Sequence, residues 1–124
     1  MRTRAARAAA LLLLAVAASA HADRPPAEQY QLHCSGCHGP EGRGVPGTTP
    51  SLHDLAPLAE TPEGRAYLAR VPGVAQAPVD DAALAELTWV LREFSQAELQ
   101  PPYSADEVGR LRLHPLRDPA GARP

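Results

Sequence analysis

Residues 34–38 read Cys-Ser-Gly-Cys-His, two thiols three positions apart with an imidazole directly after them. That order is the attachment pattern for a covalent c-type haem. The sulfurs of Cys34 and Cys37 would close thioether bonds to two vinyl groups on one porphyrin edge. His38 then falls under the ring, where its nitrogen can bind the iron.

Three other chemistries share parts of this spelling. A dithiol redox motif also reads Cys-x-x-Cys, but it belongs where a strand runs into a helix, and no strand-helix alternation is visible here. A zinc site could recruit Cys34, Cys37 and His38 with His33 or His53, yet closed zinc sites bring a second spaced ligand pair, and none follows. A disulfide between Cys34 and Cys37 would close a very small loop and leave His38 without a purpose.

Residues 1–22 open with Arg2, Arg4 and Arg7 and continue as an apolar run from Ala8 to Ala18, too short to span a bilayer. They read as a secretory signal, with small residues set for cleavage after Ala20 or Ala22. Residues 23–100 then form the main domain, and 101–124 form a C-terminal extension with one short helix and a frayed tail. The expected address is the periplasm, with no membrane span in the mature chain.

A chain of this size makes one domain with a modest core. Five aromatic residues and 14 prolines leave the polypeptide's own apolar contribution thin. A porphyrin would add a large flat apolar body for the helices to pack on, so the haem-free chain is expected to be marginally folded. Cleavage removes three arginines and leaves nine positive charges against 14 acidic ones, a net charge of −5. That balance disfavours nucleic acid or an anionic membrane as partner, and favours a partner with a basic or mainly apolar docking patch.

Proline and glycine punctuate the chain. Residues 26–36 read as a short helix entering the motif, with Tyr30 and Cys34 on one face. Residues 39–60 read as loop. Thr61-Pro62-Glu63 starts a helix that stops before Pro72. Residues 71–79 form a second loop. Asp80 and Asp81 open a helix over 81–94, with Leu84, Leu87, Leu91 and Phe94 on one face. Ser104 and Glu107 make a capping box for a helix over 105–113. No stretch alternates in the strand manner, so the fold class is all-α, three to five short helices.

Beyond the five-residue motif, His38-Gly39 is followed by Gly42, Gly44 and Pro50-Ser-Leu52. In this the chain resembles small single-domain bacterial cytochromes c of class I, over roughly residues 26–94. The resemblance implies one covalent haem c, with the helices packed around it. It implies that the Pro50 carbonyl accepts from the proximal imidazole, fixing its tautomer and raising its basicity, and that Leu52 packs on the ring edge. Tyr30 and Trp89 occupy aromatic positions where the first and last helices of such proteins cross. Arg43, in the glycine loop, is a candidate clamp for a haem propionate. Asp54 stands where a glycine is common, and aspartate tolerates a left-handed backbone better than most residues.

One departure matters. Electron carriers of this type take a methionine as second axial ligand, and the only methionine here is Met1. The iron is then five-coordinate, water-bound or held by another side chain. Gln76 lies in the 71–79 loop where the methionine would be expected, and is the candidate distal ligand. His53 and His114 are further candidates, His33 is expected to be exposed, and His21 leaves with the signal. The resemblance implies one-electron transfer between a redox partner, such as a periplasmic dehydrogenase or oxidase, and an acceptor. The alternative is a haem module whose open distal site binds or senses a small gas. A peroxidase-like enzyme is disfavoured, because this sequence offers no distal histidine and arginine pair placed to cleave a peroxide bond.

Overall fold

The computed structural model describes residues 24–124. The signal segment lies outside them. Among the described residues all regular structure is helical, apart from one isolated bridge between Val45 and Thr49. No helix there is long and apolar enough to cross a membrane.

Four helices of eight or nine residues carry the architecture: α1 (Pro26–His33), α4 (Pro62–Arg70), α7 (Leu87–Ser95) and α8 (Ala105–Arg112). Four single turns join them: α2 (Ser35–His38), α3 (Ala56–Ala59), α5 (Pro72–Ala75) and α6 (Asp81–Leu84). The starts follow local chemistry. Thr61 accepts from the Gly64 amide, Asp80 from Ala83 and Ser104 from Glu107, each satisfying an orphan N–H of its helix.

The boundaries correct several expectations. The first helix does not run unbroken to 36, because Cys34, at φ −124°, separates α1 from α2. The loops 39–60 and 71–79 each contain a helical turn with proline in its first turn. The helix expected over 81–94 is divided at Ala85–Glu86. There the amides of Glu86, Thr88 and Trp89 reach carbonyls three residues back, a local tightening that no glycine or proline announces. Asp54 is left-handed, at φ 63°.

The core joins Leu55, Leu58 and Ala59 around α3, Leu68 and Ala69 on α4, Leu84 on α6 and Leu91 on α7, with Ala97, Leu99, Tyr103 and Val108. No polar or charged residue is buried in it. Gly64 lets α4 cross α3 closely, because a Cβ there would lie 1.9 Å from the Leu58 carbonyl oxygen.

The 101–124 segment contributes Tyr103 and Val108 to this core, with Leu111 packed against it. Tyr103 is 5% exposed and Val108 fully buried. Arg65 on α4 makes a two-pronged pair with Glu107, at 3.1 and 2.7 Å, and lies 4.4 Å above the Tyr103 ring. The tail expected to fray is tied to α4. Arg70 Nε donates to the His114 carbonyl, the Leu116 amide to that of Arg70, and the Tyr67 hydroxyl to that of Pro119, at 2.7, 2.9 and 3.0 Å. The proline-rich composition conceals these bonds, because their donors and acceptors on α4 lie more than forty residues away.

Candidate functional site

Cys34, Cys37 and His38 lie on one short turn. The amides of Cys37 and His38 both donate to the Cys34 carbonyl, at 3.2 and 3.0 Å. Both thiols are free. Cys34 is half-buried and Cys37 exposed. Burial raises the Cys34 pKa, and the neighbouring Cys37 adds to the rise.

The imidazole of His38 is fixed from outside the turn. Its Nδ1 lies 2.9 Å from the Pro50 carbonyl oxygen, a contact that requires a proton on Nδ1. The unprotonated Nε2 lone pair is then the one available to a metal. The loop that brings Pro50 there folds on its own backbone. Gly44 donates to the His38 carbonyl at 2.8 Å, Leu52 to Gly42 at 2.8 Å, and Val45 to Thr49 at 2.9 Å. Gly44, at φ 67°, sits so close beneath the far strand of the loop that a Cβ would lie 2.6 Å from the Pro50 oxygen. Only glycine meets both conditions.

Tyr30 supports the turn from behind. It is 1% exposed, and its hydroxyl donates to the Gly39 carbonyl at 2.5 Å. Its ring lies 4.7 Å from Phe94 and 6.3 Å from Trp89, so one aromatic cluster holds α1 across α7. Burial raises the Tyr30 pKa and keeps the hydroxyl a donor.

The remaining candidates are distributed unevenly. Leu52 is half-buried against the core. Its carbonyl accepts from the Ser95 hydroxyl, which in turn accepts from the Leu55 amide at 3.2 Å. Arg43 is largely exposed, and its Nε donates to Glu41 at 2.7 Å. That bond, with the charge behind it, holds the Glu41 carboxyl below the usual carboxylate range. An anion clamp at Arg43 would have to compete with Glu41. Gln76 is exposed at the end of α5.

His53 is engaged elsewhere: its Nε2 lies 2.8 Å from the Glu41 carbonyl oxygen, and its ring meets Phe94 edge-on. His33 and His114 are exposed. Among the described residues no three side chains of His, Cys, Asp or Glu are grouped to hold a metal ion, so the zinc alternative finds no ligand set there.

Two long-range ties are not legible in the sequence. Ser95 joins the Pro50–Leu52 segment to α7, and Arg112 bonds the 75–81 segment from α8. A serine at a helix end and an arginine in the last turn of a helix both read as solvated termini, and only the fold shows their partners. In comparisons with known proteins, a family model described as Cytochrome c matches residues 26–100. No curated protein and no solved structure matches the chain.

Proposed function

The chain belongs to the cytochrome c family, and from that premise we propose that it is an exported class I electron carrier of the bacterial periplasm, holding one haem c. The family carries out haem-based electron transfer with protein partners. The chain's own residues fit the group: two free thiols three apart, and an adjacent imidazole with Nδ1 engaged by the carbonyl of Pro50, two residues before the apolar Leu52. Cys34 and Cys37 would tether the porphyrin, and His38 would bind the iron through Nε2. When bound, the haem supplies a one-electron ferric/ferrous couple.

The residues around it have positioning work. Pro50 holds the imidazole plane and its tautomer, so ligand geometry changes little with oxidation state. Tyr30, Gly44 and Ser95 hold the turn and loop that carry His38 and Pro50. On this reading the 71–79 segment covers the second face of the ring, with Gln76 its candidate ligand. The acidic charge remaining after export favours a dehydrogenase or oxidase partner with a basic or apolar patch.

The observation that carries the proposal is the 2.9 Å contact of His38 Nδ1 with Pro50. The test is production of the exported chain beside a working haem-attachment system. The expected product is heavier than its amino acids by one haem, shows a Soret band and exchanges one electron reversibly. His38→Ala should lose the native spectrum. A product with the mass of its amino acids and no Soret band refutes the proposal.

The methionine count favours a second reading. With no methionine after Met1, and His53 engaged by Glu41, the sixth position of a bound haem would on this second reading be open to a small gas. Rapid carbon monoxide binding by the ferrous protein, without a reversible redox partner, would favour that ligand-binding role.

A further inference from the structure

The guanidinium of Arg112 spans the whole connection between α5 and α6. Its Nε donates to the Ala75 carbonyl at 3.2 Å, and its two terminal nitrogens donate to Ala77 at 2.7 Å, to Val79 at 2.9 Å and to the Asp81 carboxylate at 3.1 Å. Its side chain is 16% exposed. Carbonyls of alternate residues in an irregular segment have no helical amide to meet. One planar fork with five N–H donors satisfies three of them and the acid that begins the next helix.

The base from which Arg112 reaches is itself fixed. The first turn of α8 is held to α4 by the Arg65–Glu107 pair, and Val108 is buried in the core. Arg112 also lies beyond residue 100, where the family match ends. The extension therefore supplies a restraint from outside the matched region.

We infer that Arg112 is a positioning residue that holds residues 75–81 closed over the second face of the haem and so limits access of outside ligands to the iron. This rests on the haem reading above. Without the guanidinium, three carbonyls and one carboxylate lose their donor together. The segment then opens locally, while the His38 turn, which shares none of these bonds, keeps its geometry.

The test uses the haem-loaded protein, with Arg112→Gln, Arg112→Lys and the exposed-site control Arg110→Ala. Backbone amide exchange is followed by peptide, and imidazole is mixed with the ferric protein. In Arg112→Gln, exchange in residues 75–81 and the imidazole on-rate should each rise by roughly tenfold or more, with exchange in 34–44 unchanged. Arg112→Lys, with a point charge reaching fewer acceptors, should fall between Arg112→Gln and wild type, and Arg110→Ala should match wild type.

Unchanged exchange in 75–81 would overturn the clamp, and so would a rise spread evenly over the chain. Faster local exchange with an unaltered imidazole rate would overturn its control of access. Should Arg112→Gln fail to fold, Arg112→Lys alone decides, by the same two readouts. Failure of the haem reading would appear separately, as a wild-type product without a Soret band.

Discussion

Replacing Gly44 with alanine should damage the site through the backbone, without touching any group that binds. Gly44 has φ 67°, and a Cβ placed on it would lie 2.3 Å from the Thr49 oxygen and 2.6 Å from the Pro50 oxygen. The left-handed conformation costs an alanine about 1–2 kcal/mol. Relieving the overlap by moving the Thr49–Pro50 backbone costs about 1–3 kcal/mol more. That movement draws the Pro50 carbonyl from His38 and forfeits about 1 kcal/mol of hydrogen bonding. Gly47 offers the control, since it has φ 76° with nothing within 4 Å of its Cβ, so Gly47→Ala meets only the conformational cost. Gly44→Ala should therefore be less stable than Gly47→Ala by about 2–4 kcal/mol, which lowers its melting temperature by roughly 10 °C or more relative to that variant. Thermal unfolding followed in the Soret band measures the difference, and the imidazole N–H resonance of His38 reports its bond to Pro50. Equal melting temperatures with an unshifted His38 resonance would refute the reasoning.

Other outcomes follow from the same contacts. Gly64→Ala places a methyl on the Leu58 carbonyl and should cost about 3 kcal/mol by separating α3 from α4, measurable by denaturant unfolding. Tyr103→Phe removes the hydroxyl that donates to the Arg65 carbonyl at 2.8 Å and should cost about 1 kcal/mol at neutral pH. Burial, more than the opposing pull of Arg65 or the added push of Glu107, raises the Tyr103 pKa far above its ordinary value. The unfolded chain therefore loses this proton first, near pH 10, and the stability present below about pH 10 is lost as pH rises beyond it. Unfolding midpoints measured from pH 9 upward should fall less steeply in Tyr103→Phe, leaving the share due to Tyr30. Ending the chain after Gln100 removes Tyr103, Val108 and Arg112 and should prevent accumulation of folded haem protein, read as Soret absorbance and far-ultraviolet dichroism.

What the sequence made legible was local. Thr61, Asp80 and Ser104 cap their helices because a side-chain oxygen need reach only three residues along the chain. The Cys34-to-His38 pattern was legible for the same reason. The role of Pro50 came through a resemblance, and the 2.9 Å contact with His38 gives it physical content. The short turns α3 and α5 were hidden because a proline-rich loop and a proline-started turn have the same composition. Arg112 was hidden because its acceptors are backbone carbonyls 33 to 37 residues away, which no spacing rule can identify.

These two kinds of information describe two halves of the proposed haem site. The His38 half is closed by short-range bonds: Gly44 to His38, Leu52 to Gly42, and Tyr30 to Gly39. Such loops form early and cheaply, because little chain entropy is lost in closing them. The 75–81 half has no comparable set of its own and takes its restraint from α8, which comes later in the chain. Local opening should therefore begin there, since beyond the Gln76 and Ala77 amide bonds and the packing of Ala77 and Val79, the carbonyls of Ala75, Ala77 and Val79 depend on one side chain from α8. The half that opens more readily is the one proposed to face incoming ligands, while the half proposed to orient the iron's protein ligand stays closed.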